Sequence, residues 1–371
     1  RFLKAVLFVC QKRFRENGVK RLGKSLAGSP VTSGGLASPR RCPLSCRGNQ
    51  PKEYVMITVH PSVSLIDCHY TAPEKAAAFL VAEGDRAAFV DNNTARAVPR
   101  LLGALESGGL RPDQVEYAIV THIHLDHSGG TAELLRHCPN ATVLAHPKAA
   151  RHLIDPSRLI AGAKMVYGEE AFTQLYGAVE PVPEGRIRIM EDGETLAWGT
   201  RQLRFIYTKG HATHHFIVHD TGSDGIFAGD AFGLGRTGGS RLGAPFTLCS
   251  SSPPEFDPEE AHRSVQKVLD TGAARAFITH YGVLDDLEAS AAQLRRSIDQ
   301  MEAIGRAAAE SGLEGEGLLE FGRERVDSAF REHLAWCGVA DLEADRAWLE
   351  DDVYLNALGL TFYVQRLRQA G

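Results

Sequence analysis

Residues 121–127 read Thr121-His122-Ile123-His124-Leu125-Asp126-His127, three imidazoles and a carboxylate within six residues, directly behind the apolar run Val115–Val120. The run reads as a buried strand, so the cluster must sit at a strand end. In extended backbone His122 and His124 project to the same side, and both can grip one cation. A turn into helix behind them would carry Asp126 and His127 towards a neighbouring position. Imidazole and carboxylate together suit zinc, iron or manganese, and no thiolate is needed.

The surroundings predict an α/β chain. Ala78–Val81 and Ala87–Val90 flank Glu83-Gly84-Asp85 as a hairpin. Ala95 to Ser107 has helical spacing, stopped by Gly108-Gly109. A strand at Ala141–Ala145 precedes a helical and loop-rich stretch from Pro147 to Gly177. From Arg186 to Gly229 short apolar runs divided by Gly or Asp read as a β-meander that begins with Arg186–Met190. Arg275–Thr279 is one more strand, followed by helical periodicity from Leu287 to Ser311 and a helical tail from Leu318 to Leu367. The run Gly233-Leu234-Gly235-Arg236-Thr237-Gly238-Gly239 lacks the Lys-Ser/Thr pair of a phosphate loop and reads as a mobile loop at the site.

Composition narrows the class. No apolar run approaches a membrane span. The seven Cys are odd in number and never spaced C-x-x-C, which reads as reduced thiols rather than a disulfide or zinc-finger framework. Residues 1–52 hold 12 Lys and Arg against one acid, Glu16, whereas the rest of the chain balances 29 basic against 45 acidic residues. The head, residues 1–55, reads as a disordered basic extension, either upstream translation ahead of Met56 or an organelle-targeting peptide. The expected compartment is therefore cytoplasmic, or organellar if that head is a targeting peptide. The acidic body argues against a nucleic-acid partner.

The motif resembles that of the metallo-β-lactamase-fold superfamily of metallohydrolases, in a branch related to hydroxyacylglutathione hydrolases and lactonases. Gly210-His211-Ala212-Thr213-His214-His215 resembles its second Gly-His segment, Gly229-Asp230 its bridging carboxylate, and Thr279-His280-Tyr281-Gly282 its final His. Asp91-Asn92-Asn93-Thr94 stands where the family usually has Asp-Thr-Gly. The resemblance implies a four-layer αββα sandwich over residues 56–284, with residues 285–371 as a helical extension packing on the core or lidding the site. It implies one metal held by His122, His124, His211 and Asp230, and a second by Asp126, His127, His280 and again Asp230. Asp91 and His215 would support these ligands from beneath.

Two divalent ions with Asp126, Asp230 and a bridging hydroxide leave a core near one positive charge. Such a core suits hydrolysis of a small ester, thioester or lactone, with Asp126 orienting the nucleophile. Zinc is the first expectation for both ions, with iron or manganese as alternatives. The alternative activity is a mononuclear iron persulfide dioxygenase holding its metal with His122, His211 and Asp230; a phosphodiesterase is less favoured. The expected partner is a small molecule, and a homodimer is compatible with the fold. Lactonases of the superfamily place Tyr three residues after the bridging Asp, where this chain has Gly233. A phenol would then come from Tyr167, Tyr207 or Tyr281, and Tyr281, beside His280, is the candidate.

Overall fold

A computed structural model describes residues 56–236, 245–339 and 342–370. The readings of the basic head concern residues outside that set. The chain begins with four antiparallel strands, β1 (Met56–His60), β2 (Val63–Asp67), β3 (Ala77–Glu83) and β4 (Arg86–Val90). Strands β5 (Val115–Val120), β6 (Thr142–Ala145) and β7 (Ile187–Ile189) extend the sheet in parallel. Parallel neighbours need crossovers. These run through α1 (Val98–Ser107), then α2 (Leu125–Ser128) and α3 (Thr131–His137), then α4 (Pro147–Ile154), α5 (Ser157–Tyr167) and α6 (Glu169–Tyr176).

The second sheet starts with the antiparallel strands β8 (Thr195–Trp198), β9 (Arg201–Thr208), β10 (His215–Asp220) and β11 (Gly225–Gly229). A ribbon of β12 (Leu234–Arg236) and β13 (Phe246–Leu248) follows, and α7 (Pro258–Leu269) crosses over to β14 (Arg275–Ile278), parallel to β11. Strand β15 (Gly282–Leu284) closes the edge, and α8 (Leu287–Glu310), α9 (Gly315–Trp336), α10 (Leu342–Trp348) and α11 (Glu350–Ala370) complete the chain.

Strand alternation sorts the side chains into layers. In β5, Ala118 and Val120 face the helices on the outside while Ile119 faces the other sheet. Between the sheets Phe79, Phe227 and Phe277 pack with ring centroids 4.8–5.6 Å apart. Outside the first sheet, Leu101 and Leu105 of α1, Leu134 of α3 and Leu153 of α4 cover its other face. Leu294, Ile298 and Met301 of α8, Phe330 of α9 and Leu358 of α11 share one core with Ile217, Ile226 and Ile278 of the second sheet. The result is an αββα sandwich with a helical C-terminal region. No helix among the described residues is long and apolar enough to cross a membrane.

Two expectations change. The run at 186–190 does not open the meander: Ile187–Ile189 pairs in parallel with Val143–Ala145 and belongs to the first sheet. A three-residue apolar run carries no mark of its sheet, and the free edge of β6 takes it. The glycine-rich run begins as strand β12, not loop, with Leu234↔Leu248 and Arg236↔Phe246 in register; residues 237–239 lie outside the described set.

Candidate metal centre

The strands that point the same way bring their C-terminal ends to one edge of the sandwich. Asp91 follows β4, His122–His127 follow β5, Asp230 follows β11 and His280 follows β14, while His211 lies in the β9–β10 connection. The sheets are joined there by main-chain hydrogen bonds, from the Ala77 N–H to the Thr279 carbonyl at 2.8 Å and from the Phe216 N–H to the Thr121 carbonyl at 3.0 Å. Gly229 is required just before Asp230. Its φ is +50°, and a Cβ would lie 2.5 Å from His215 Nε2 and 2.8 Å from Thr121 Oγ1.

Three ring nitrogens converge at this edge. His122 Nε2 and His124 Nδ1 are 2.9 Å apart, His211 Nε2 is 2.9 Å from His124 Nδ1, and the two Nε2 atoms are 3.3 Å apart. A tetrahedral zinc site, with Zn–N near 2.0–2.1 Å, sets its nitrogens about 3.3 Å apart. Beside this cluster, His127 Nε2 lies 3.1 Å from Asp230 Oδ1, and His280 Nε2 lies 3.3 Å from Asp126 Oδ2 and 3.6 Å from Asp230 Oδ1. The other Asp230 oxygen, Oδ2, is 3.4 Å from His211 Nε2. Asp230 therefore turns one oxygen to each group of histidines.

His127 Nε2 and Asp230 Oδ1 are buried, face each other at 3.1 Å and have no other hydrogen-bond partner. Buried polar atoms are nearly always satisfied, so two such atoms aimed at one point fit a cation between them. The three ligand groupings His122/His124/His211, His122/His127/Asp230 and Asp126/His127/His280 each gather within 4.8 Å. The donor set is imidazole and carboxylate throughout, as zinc, iron or manganese accept.

What holds the rings decides which nitrogen faces the centre. His127 Nδ1 donates to Asp91 Oδ2 at 2.7 Å, and His280 Nδ1 to the Lys75 carbonyl at 2.9 Å. His211 Nδ1 faces the Ser250 carbonyl at 3.3 Å. Each of these rings thus presents Nε2 to the centre. Asp91 also accepts from the Thr121 N–H and hydroxyl and from the Thr279 hydroxyl at 2.9–3.0 Å. His215 has both nitrogens engaged: Nδ1 lies 2.7 Å from the Thr208 hydroxyl, and Nε2 accepts the Asp230 N–H at 3.2 Å. It braces the Asp230 backbone. In the variant turn, Asn93 donates to the Asp126 carbonyl at 2.9 Å, and Asp91 and Asn93 both have φ of +55°.

The electrostatics fit the same reading. Burial and neighbouring imidazoles hold His122 and His124 well below the usual histidine value, so both are neutral, the ligating form. Burial alone would raise Asp126 and Asp230, but His127 and His280 keep both below the usual carboxylate range. In turn, and against burial, Asp230 and Asp126 push His280 up to about 9. Two ionised carboxylates at this edge call for positive charge.

A sequence model of the metallo-beta-lactamase superfamily matches residues 73–287, more than half of the 371-residue chain. The chain belongs to this superfamily. Among its relatives, the metallo-beta-lactamase fold-containing protein ST1585 of Sulfurisphaera tokodaii is 27% identical over 176 residues, 46% of this chain and 62% of that one. The hydroxyacylglutathione hydrolase of Gloeobacter violaceus is 30% identical over 152 residues, 41% of this chain and 46% of the relative. The human acyl-coenzyme A thioesterase MBLAC2 is 25% identical over 173 residues, 43% and 60% of the two chains. The matches thus span about half the length of these relatives. The crystal structure of ST1585 from Sulfolobus tokodaii shares the fold, with a TM-score of 0.54 and 20% identity over 85% of this chain and 99% of that one.

The candidate centre opens into a cavity of about 490 Å³. His124, Asp126, Asp230 and His280 form its floor, and α5 and α11 supply facing walls. Tyr281 is not part of it. Its ring lies in the core between the sheets and its hydroxyl is buried without a hydrogen bond, so the expected phenol points away from the centre. Tyr207 is also elsewhere, donating to the Met190 carbonyl at 2.8 Å. The phenols at the cavity are Tyr167, Tyr70 and Tyr176; the Tyr70 hydroxyl donates to that of Tyr176 at 2.9 Å. Gly233 could not carry the lactonase Tyr, because its φ is +82° and a Cβ would collide with the Leu248 carbonyl. Sequence reading passed over Tyr70 and Tyr176, which have no motif around them. His214, outside the expected ligand set, also reaches the site: its Nδ1 accepts the Ile123 N–H at 3.4 Å, inside the His motif.

Proposed function

We propose that this protein is a dinuclear metal-dependent hydrolase of a small ester, thioester or lactone, with a thioester as the first choice. The buried pair His127 Nε2 and Asp230 Oδ1, 3.1 Å apart with no other partner, beside the converging nitrogens of His122, His124 and His211, carries the reading. His122, His124 and His211 would hold one ion, and Asp126, His127 and His280 the other, with one Asp230 oxygen directed to each. Ions held by these residues would supply a water acidified to a pKa of about 7 and a Lewis acid for the carbonyl oxygen. Asp126, on the cavity floor beside His280, orients the attacking water and takes its proton. Water oxygen bonds to the carbonyl carbon, the acyl–sulfur or acyl–oxygen bond breaks, and the departing thiol or alcohol recovers the proton. The names acyl-coenzyme A thioesterase and hydroxyacylglutathione hydrolase among the relatives support an acyl substrate.

Metal content by plasma mass spectrometry, on protein purified without added metal, tests this beside Asp230→Ala. About two zinc or manganese ions per chain, lost in the variant, is the expected result. A single iron per chain with oxygen consumption would overturn hydrolysis in favour of the dioxygenase alternative.

A further inference from the structure

We propose that the cavity over the metal centre binds an unbranched apolar acyl chain, its carbonyl end at Asp126 and His280 and its hydrocarbon between α5 and α11. The proposal rests on the hydrolase reading and names the part of the substrate that this chain selects.

The first observation is a helix whose apolar face is only half covered by protein: Leu159, Ala163 and Val166 touch the edges of neighbouring clusters and stay part-exposed. Leu159, Gly162, Ala163 and Val166 follow the i, i+3, i+4, i+7 spacing that places residues on one side of a helix. A surface helix ordinarily turns such a stripe into the core. Here no residue of α5 is fully buried, Met165 is 45% exposed, and the stripe lines the cavity. The second observation is the facing wall, where Leu355 and Phe362 of α11 stand with Pro253 and Pro254. Neither helix is part of the two sheets, so the cleft is an addition built beside the metal centre.

The polar groups of the wall narrow the ligand. Near the metal centre the Tyr70 and Tyr176 hydroxyls bond each other, Lys75 Nζ pairs with Asp352 at 2.8 Å, and Asn356 is committed to Ser251 at 2.6 Å, while Thr71, His152 and Arg158 also line the cavity. A sugar or nucleotide laid against those committed groups and the apolar stripe would leave hydroxyls or ring nitrogens without partners, at the cost of their desolvation. A hydrocarbon chain asks for none, and each methylene that it buries is worth about fourfold in binding. The cavity is within the usual range for small-molecule sites. Gly162 sits at the middle of the stripe, and a Cβ there meets nothing within 4 Å, so a side chain at 162 would occupy the cleft without disturbing the helix.

The test uses the metal-loaded full chain with N-acetylcysteamine thioesters of acetyl, butyryl, hexanoyl, octanoyl and dodecanoyl groups. In parallel, binding of dodecanoate and acetate is measured by calorimetry below the micelle concentration. Wild-type kcat/KM should climb with chain length, about fourfold per methylene at first. Gly162→Leu should cut the dodecanoyl-to-acetyl ratio by about tenfold or more, and weaken dodecanoate similarly; Leu favours helix over Gly, so the fold is not at risk. A flat series, with all thioesters cleaved, would overturn the acyl pocket and leave the hydrolase standing. Dodecanoate binding that Gly162→Leu weakens, without turnover of any thioester by protein carrying two ions, would overturn thioester hydrolysis and keep the pocket. Failure to bind dodecanoate would overturn the pocket.

Discussion

Asn356 of α11 accepts both the main-chain N–H and the hydroxyl of Ser251 through Oδ1, each at 2.6 Å. The carbonyl of the preceding residue, Ser250, faces Nδ1 of His211. One turn earlier on the same helix, Asp352 pairs with Lys75, whose carbonyl accepts from Nδ1 of His280. One face of α11 thus grips the two main-chain segments that aim His211 and His280. Gly359 permits this closeness, since a Cβ there would collide with the Ser251 carbonyl.

Asn356→Ala should therefore be felt at the metal centre. Leaving the buried Ser251 groups without an acceptor should cost about 1–3 kcal/mol in urea unfolding. Metal affinity, read by competition with a chelator, should fall by about tenfold, the low end for groups behind a ligand. Asn356→Asp keeps the acceptor and should recover most of both. Unchanged affinity in Asn356→Ala would sever α11 from the centre.

Asp91→Asn keeps the shape and tolerates the left-handed backbone found there, φ +55°. It removes one of the two oxygens that together serve Thr121, Thr279 and His127. We expect about 10–100-fold weaker binding of one of the two ions. Titration of the metal-free protein should show one tight and one weakened site; two undisturbed sites would refute the role given to Asp91.

Acid stability has a separate source. His333 of α9 is fully buried, and Arg296 of α8, Trp336 of α9 and the Thr247 main chain, which partly offsets Arg296, lie near it. Burial first, and Arg296 second, lower it to about 4. A histidine whose folded value is depressed resists protonation that the unfolded chain accepts. Its contribution is present above about pH 6.5 and is lost as pH falls towards 4, up to about 3 kcal/mol. The difference in unfolding free energy between wild type and His333→Leu should change across that window and stay level above it. A difference that is constant with pH would remove His333 from the acid response.

Gly229→Ala places a methyl against His215 and Thr121 at positive φ. Crowding and backbone strain together should cost about 2–4 kcal/mol. Metal content should drop with it, because the displaced His215 holds the Asp230 N–H. A variant as stable as wild type and fully loaded would contradict the close approach.

Much of this architecture is legible in the sequence because the signals are local. Val115–Val120 is apolar over one strand length, and its observed limits are those of the run. The residues at 122–127, with His211, Asp230 and His280, each follow an apolar run or a glycine, and they do gather at one edge. What was not legible depends on partners distant in the chain. Ile187–Ile189 has no local feature that assigns it to the first sheet. Tyr281 follows His280 directly, but the two lie in a turn, where adjacency does not set side-chain direction. The cavity joins Tyr70, the stripe on α5 and Leu355 on α11, segments whose meeting only the folded chain defines.

The hydrogen bonds of Asp91 have one more consequence. Its carboxylate is answered by Thr121, beyond the end of a strand in one sheet, by Thr279, beyond the end of a strand in the other, and by His127 between them. The edge that carries the chemistry is therefore also the seam of the sandwich. The layers cannot part there without letting go of His127, and an ion that ties His127 to Asp230 would resist their parting. Stripping the ion and opening the seam become two descriptions of one event, so the rate at which a chelator empties the centre should report how often the halves come apart.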